Sequence, residues 1–476
     1  MYLRQENRSY SWLLCVAALL FTAAAAYGQS GRTISTPAPE GGVSVKAMFD
    51  QANGYSKAKF AEFETKKIKY NEALRLQTER EQKQLAAKHA AAAQTRTDLK
   101  PDDLYYLGLL YWIAENLDGT NAALKKYLGS GETVPDKAQT ARSIIAVIAA
   151  KQRRLDDAAA VVAEYLKNTP IRLADRARME IELAKALYGE KRFSEASDHA
   201  SEAYKAAKAV LIESGPSQRG LDETLDTAMQ WFESLRAADD QKAADAALED
   251  LKKTASSIGS SSMYAYAADK LIVYMIETGR KPLAMETYRS TLAAAVKDLP
   301  IRQSHDAAVR QLKRREQQFR LLGETAPEFA PIDKWFPGSP RTVRSLRGKV
   351  VLLDFWATWC GPCFDAFPSL AEWHRDYAAD GLVILGMTRY YGIGEGVPLD
   401  EPAEIEFLLR FKKDQDLPYD FVVSKGQTTQ FLYAATGLPT TVLIDRKGVI
   451  RYIESGTNPT RMEELRQVML KLLREK

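Results

Sequence analysis

The stretch Val350-Val351-Leu352-Leu353-Asp354-Phe355-Trp356-Ala357-Thr358-Trp359-Cys360-Gly361-Pro362-Cys363 decides how the rest of the chain is read. Val350 to Phe355 is a nearly unbroken apolar run, the pattern of a buried strand, and Cys360 follows where such a strand would turn into a helix. Two cysteines in Cx2C spacing at a helix start can open and close one disulfide. At the positive end of a helix dipole a thiolate is favoured, and the thiol pKa falls below its free value of about 8.5. Cys360 is therefore expected to be the nucleophile, and Cys363, one turn further in and shielded, the resolving thiol. Pro362 removes a backbone donor and stiffens the turn, while Gly361 keeps the approach to Cys360 open. Asp354 lies six residues before Cys360, where strand alternation points it inward beneath the cysteines. Desolvation raises the pKa of a buried carboxyl, so Asp354 is expected to accept the Cys363 proton; the alternative is a hydrogen-bonded core aspartate without kinetic effect. Trp356 reads as packing and Trp359 as the rim of the site.

The Trp-Cys-Gly-Pro-Cys core, the preceding Asp-Phe-Trp-Ala and the later Gly437-Leu438-Pro439-Thr440 together resemble the thioredoxin fold. Ala326-Pro327-Glu328-Phe329 and Gly348-Lys349 are similar, more narrowly, to the TlpA/ResA branch of exported thiol-disulfide oxidoreductases. The resemblance covers Leu321 to Lys476. It implies that Pro439 is a cis-proline lying against the cysteines and exposing the backbone of Leu438 to an extended substrate segment. In thioredoxins an aspartate at the place matching Asp354 is the proton acceptor, a role the resemblance implies here, whereas many TlpA-like chains carry an uncharged residue there. In one respect the chain departs from the family. Three residues past the second cysteine, cytochrome-maturation members carry a glutamate, and here that position is Ala366, which weakens transfer of that substrate.

A chain of 476 residues, 46% of them hydrophobic, is long enough for two or three domains with real cores. With 66 basic and 62 acidic residues the net charge is +4, too balanced for a nucleic-acid partner. Arg4 and Arg8 precede an apolar or small run from Trp12 to Tyr27, which reads as a signal peptide or an N-terminal anchor over 1–28 and hence as export to the periplasm. Beyond it only Cys360 and Cys363 remain of three cysteines, so neither a structural disulfide framework nor a Cx2C zinc site is expected. The four histidines are scattered, and no metal or cofactor is expected.

Gln29 to Gly54, rich in Ser, Thr, Pro and Gly, reads as a flexible tether, and Lys57 to Thr97 as one long, solvated, charged helix; together they fill 29–100. Over 101–320 the chain repeats when slid by 38 residues: Leu107-Gly108, Ile145-Ala146 and Leu183-Ala184 align, as do Leu117, Leu155 and Phe193, then Thr120, Ala158 and Ala196. Large, small, large, small is the pattern of antiparallel helices in close contact, and it resembles tetratricopeptide repeats; an irregular helical bundle is the alternative. Arg219 to Ser257 and Tyr264 to Val296 read as looser helical pairs. Stacked pairs offer a surface for a protein partner, or serve as a spacer.

From Leu321 four prolines within fourteen residues mark a domain boundary feeding a short hairpin. The order after it predicts strand (350–355), helix (360–379), strand (382–387), helix (402–415), strand (419–423), helix (428–435), strand (440–445), strand (449–455) and closing helix (459–474). The predicted fold is thus an α-helical, TPR-like N-terminal region followed by an α/β thioredoxin-like domain, 321–476, with a central mixed sheet. The loop Tyr390 to Gly396 reads either as a partner-contacting surface or as a plain loop. The expected activity is reduction of disulfides in exported proteins, fed by a membrane electron donor. A thiol peroxidase and a repeat-built adaptor with a vestigial redox domain are the rivals.

Overall fold

The computed structural model describes residues 43–475. The run read as a signal peptide or anchor lies outside the described residues. No helix among the described residues is long and apolar enough to cross a membrane. The chain divides into two compact units between Ala247 and Leu248.

The first unit is helical: α1 (Val45–Thr65), α2 (Glu72–Gln94), α3 (Pro101–Ile113), α4 (Leu117–Gly129), α5 (Pro135–Lys151), α6 (Leu155–Lys167), α7 (Leu173–Gly189), α8 (Phe193–Ser214) and α9 (Gln218–Ala237). The division falls within α10 (Gln241–Ser257). The 38-residue period is real: α4, α6 and α8 begin at Leu117, Leu155 and Phe193. The turns before them repeat as well. Glu115, Arg153 and Lys191 take positive φ of 60°, 60° and 61°, and the next residue's N–H reaches back to Tyr111, Ala149 and Leu187 carbonyls at 2.9, 2.9 and 3.0 Å. The small member of the pair is a steric requirement, since a Cβ at Gly108 would stand 2.5 Å from Leu124 Cδ2. Successive pairs are also tied by tyrosines that the pattern did not single out: the hydroxyls of Tyr127 and Tyr165 accept the Val134 and Arg172 N–H groups at 2.9 Å each.

Two sequence expectations fail here. Val45 to Gly54 is not tether but the start of α1, burying Val45, Met48, Phe49 and Ala52. Nor is 57–97 one helix. The chain reverses at Lys67, whose φ is 54°, and Asn71 caps α2 by accepting the Leu74 N–H at 2.9 Å. The two helices then pair through Tyr55–Glu81 and Ser56–Gln82, both at 2.7 Å. With neither Gly nor Pro at the turn, the reversal left no breaker in the sequence, and apolar burial in the hairpin supplies what propensity did not.

The second unit adds α11 (Ser261–Glu277), α12 (Lys281–Asp298) and α13 (Arg302–Leu321), followed by the sheet domain. These three helices, which the sequence assigned to the helical region before 321, therefore share a compact unit with the sheet. The strands are β1 (Ile332–Phe336), β2 (Val350–Phe355), β3 (Leu382–Arg389), β4 (Ile393–Gly394), β5 (Val397–Pro398), β6 (Asp420–Ser424), β7 (Thr440–Ile444) and β8 (Ile450–Ser455). Six form one mixed sheet ordered β1-β6-β3-β2-β7-β8, with β2 parallel to β3 and β3 to β6, and β1, β7 and β8 antiparallel to their neighbours. Four further helices complete the domain: α14 (Gly361–Phe364), α15 (Phe367–Tyr377), α16 (Glu401–Asp414) and α17 (Thr428–Leu432), before the closing α18 (Pro459–Arg474). Val350, Leu352, Ile384, Phe421 and Leu443 pack in one core with Leu370 of α15 and Met469 of α18.

The hairpin expected after Leu321 is absent among the described residues. β1 pairs instead with the distant β6, and the segment around Thr325 bridges Val449 beside β8. The Ala-Pro-Glu-Phe opening has a local purpose, because the Glu328 carboxylate accepts the Val343 and Arg344 N–H groups at 2.8 and 3.0 Å.

Candidate active site

The site begins at the C-terminal end of β2, a strand buried along its whole length. After Phe355 the chain turns through Trp356 to Trp359 into the cysteine motif, and Cys360 and Cys363 are joined by a disulfide. Cys360 keeps 5% of its surface and Cys363 none, so a sulfur arriving from solvent meets Cys360 first. Gly361 and Pro362 are exposed, and a Cβ at Gly361 would meet nothing within 4 Å. The helix expected over 360–379 is split into α14 and α15, with Ala378 and Ala379 outside it. Pro368 lacks an N–H and its ring would meet the carbonyl one turn back, so the helix restarts around it. The dipole behind Cys360 is correspondingly that of a four-residue helix.

Trp356 is fully buried, its ring 4.7 Å from Phe421 and stacked on Phe411 at 5.3 Å. Trp359 is 59% exposed and meets the Tyr391 ring edge-on at 5.3 Å. The loop after β3 is thus a built part of the rim. Glu404, buried on α16, accepts the Tyr391 and Gly392 N–H groups at 2.8 and 2.9 Å. The Arg389 guanidinium lies 4.1 Å from the Tyr391 ring centre, and Gln430 donates to the Tyr391 hydroxyl at 3.3 Å. Nothing in the sequence marks Glu404, because a glutamate on an amphipathic helix looks like any solvated charge until its neighbours in the fold are known.

Asp354 is 1% exposed, and neither carboxylate oxygen has a hydrogen-bond partner among the described residues. It stands in register with Gly386 of β3, whose missing side chain makes room: a Cβ there would lie 3.1 Å from both Trp356 Nε1 and Phe421 Cδ1. Burial pushes the Asp354 carboxyl up to about 7. The hydroxyl of Tyr419 is buried and partnerless in the same way, and burial together with the Asp354 charge raises its pKa. A group poised near neutrality and kept from hydrogen bonds can take or give a proton at little cost.

Pro439 follows a cis peptide bond from Leu438. Thr440 pairs with Phe355, which sets Leu438-Pro439 beside the turn leading to Cys360, and Pro439 lines a crevice together with Ala366, one turn past Cys363. Leu438 is half-buried and packs against the core cluster that includes both cysteines. The structure thus gathers Asp354, Cys360, Cys363, Leu438 and Pro439 at one end of the sheet, with Trp359 on the rim.

Comparison with known proteins agrees with this geometry. The Redoxin family model matches residues 321–469. Thiol-disulfide oxidoreductase ResA of Geobacillus thermodenitrificans is 32% identical over 136 residues, which are 29% of this chain and 70% of that protein. The chain belongs to the ResA-like thiol-disulfide oxidoreductases. A second relative of this ResA-like chain is the thioredoxin-like protein YneN of Bacillus subtilis, 32% identical over 136 residues, 28% of this chain and 72% of YneN. Among solved structures, a thiol-disulfide isomerase from Corynebacterium glutamicum matches at 22% identity and a TM-score of 0.27, covering 32% of this chain and 98% of that one. As a ResA-like enzyme the chain exchanges thiols and disulfides, so its substrates contain disulfides.

Proposed function

We propose that this chain reduces disulfides of exported proteins. Reduced Cys360, as thiolate, attacks one sulfur of the client disulfide; a mixed disulfide forms and the client's other sulfur leaves as a thiolate. Asp354 takes the proton of Cys363, which attacks Cys360 and expels the client's second thiol. Two electrons have passed to the client, and the Cys360–Cys363 disulfide remains. A membrane electron donor returns the two electrons. The backbone of Leu438, with Pro439, pairs with the extended client segment, while Trp359, Gly361 and Pro362 border it. The reading rests above all on one observation: a closed Cys360–Cys363 disulfide follows, on the same strand-to-helix connection, a buried carboxylate, Asp354, that has no hydrogen-bond partner among the described residues. The apolar segment 12–27 supports export to the periplasm, and the 38-residue helical hairpins support a tetratricopeptide-like surface that recruits a protein partner.

The test is insulin reduction by the full chain with a thiol donor. Turnover by the native protein, and a stalled covalent client adduct in Cys363→Ser, are the expected results. A native protein that releases no insulin thiols while a small disulfide still oxidises it would overturn the assignment of protein clients.

A further inference from the structure

Gln318 lies on α13, three residues ahead of the matched Redoxin region, and only 3% of it is exposed. Its amide nitrogen donates to Ser455 Oγ at 3.1 Å and to the Ala434 carbonyl at 3.4 Å. Its amide oxygen accepts from Arg315. Arg315, on the same helix, also donates to Asp269 of α11 at 2.7 Å, to the Ile453 carbonyl at 3.0 Å and to Glu454 at 2.8 Å. The chain of bonds continues inward. Ser455 Oγ and Thr440 Oγ1 are 2.8 Å apart, Thr440 Oγ1 donates to the Gly437 carbonyl at 2.6 Å, and the Gly456 N–H donates to the Pro439 carbonyl at 2.7 Å.

These contacts enclose the loop Ala434 to Thr440 from one side. Gln318 holds its first residue, and through Ser455 its last. A buried side chain with both amide ends engaged is held to a single geometry, because turning it would leave several buried groups unpaired. The loop it holds carries Leu438 and Pro439. A fold that needed α13 only to cover apolar surface would have no use for a buried amide at this place.

We propose that Gln318 is a positioning residue: from a helix outside the sheet domain it fixes the Leu438-Pro439 loop in the shape that receives the client backbone. The consequence for client affinity rests on the reading of that loop under Proposed function; the brace itself does not.

Two measurements on the full chain separate the two. In Gln318→Leu, amide hydrogen exchange across residues 434–441 is expected to rise about fivefold or more, the scale of one lost buried hydrogen bond. The KM for insulin disulfides should rise by a similar factor, with kcat and the rate toward a small aromatic disulfide held within about twofold. Gln318→Glu keeps an acceptor for Arg315 and loses a donor, and should fall between. Unchanged exchange over 434–441 in a folded Gln318→Leu protein would overturn the proposal. Should Gln318→Leu fail to fold, Ser455→Ala cuts the same path one bond further in, and unchanged exchange at Thr440 there would overturn it equally. Raised exchange with an unmoved KM would support the brace, and would count instead against client pairing at Leu438.

Discussion

Gln139 and Asp354 are buried almost equally, at 0% and 1% exposure, yet their surroundings are opposites. In the helical hairpins the Gln139 amide nitrogen donates to the carbonyls of Tyr165, Asn168 and Pro170, each at 3.0 Å, and its oxygen accepts from Arg142 at 3.1 Å. In the redox domain the Asp354 carboxylate has no such partner among the described residues. A satisfied buried group fixes architecture. An unsatisfied one in a well-packed core is costly, and chemistry is the reason for a protein to keep it.

The contrast is tested most severely by pH. The Asp354 carboxyl titrates near 7 in the fold and near its ordinary 3.8 when unfolded. Below about pH 4 both states are protonated and the group costs nothing. Between about 4 and 7 the unfolded state alone ionises, so stability falls as pH rises; above 7 the loss is constant, on the order of 4 kcal/mol. Thermal unfolding of the oxidised chain should therefore show a lower midpoint at pH 8 than at pH 5, and Asp354→Asn should remove most of that difference. A wild-type midpoint equal at both pH values would show that the carboxylate finds a partner after all.

The second effect is kinetic. Asp354→Asn should slow resolution of the mixed disulfide roughly a hundredfold at pH 8, the usual scale of general-base assistance. The wild-type rate should rise with pH through about 7, as Asp354 ionises, and the variant should lack that rise. Stopped-flow release of a fluorescent client from the mixed disulfide reads both.

For the other half of the comparison, Gln139→Leu takes the side-chain donor from the Asn168 and Pro170 carbonyls, while the Tyr165 carbonyl keeps the Asn168 N–H; it should destabilise the first unit by about 2 to 3 kcal/mol, without the pH dependence of the Asp354 change. Denaturant titration at pH 5 and pH 8 reads this. Smallest of all, Gly108→Ala brings a methyl against Leu124. The clash outweighs the gain in helix propensity, for a net loss of about 1 kcal/mol in the same titration. A stabilised Gly108→Ala protein would mean that α3 and α4 have room to part.

The strands β2, β3, β6, β7 and β8 were legible because each is a local pattern, an apolar run ended by turn residues such as Asp445-Arg446-Lys447-Gly448 between β7 and β8. The 38-residue hairpins were legible because a small residue recurs at the same two places of each period, Gly108, Ala146 and Ala184 at one and Thr120, Ala158 and Ala196 at the other. The turn at Lys67 was not, since nothing at that point of the chain breaks a helix and only pairing with α1 favours the reversal. β1 was lost to a predicted hairpin for a similar reason: its partner, β6, lies over eighty residues away.

The redox pair, the order of most elements around it and the period of the helical hairpins are carried by neighbours along the chain, and so can be read from the residues alone. That Asp354 stands without a partner among the described residues, that Glu404 sets Tyr391 against Trp359, and that Gln318 reaches the Leu438-Pro439 loop emerges only once the chain is folded. Burial and hydrogen bonding are sums over residues far apart in sequence, and no local pattern contains them.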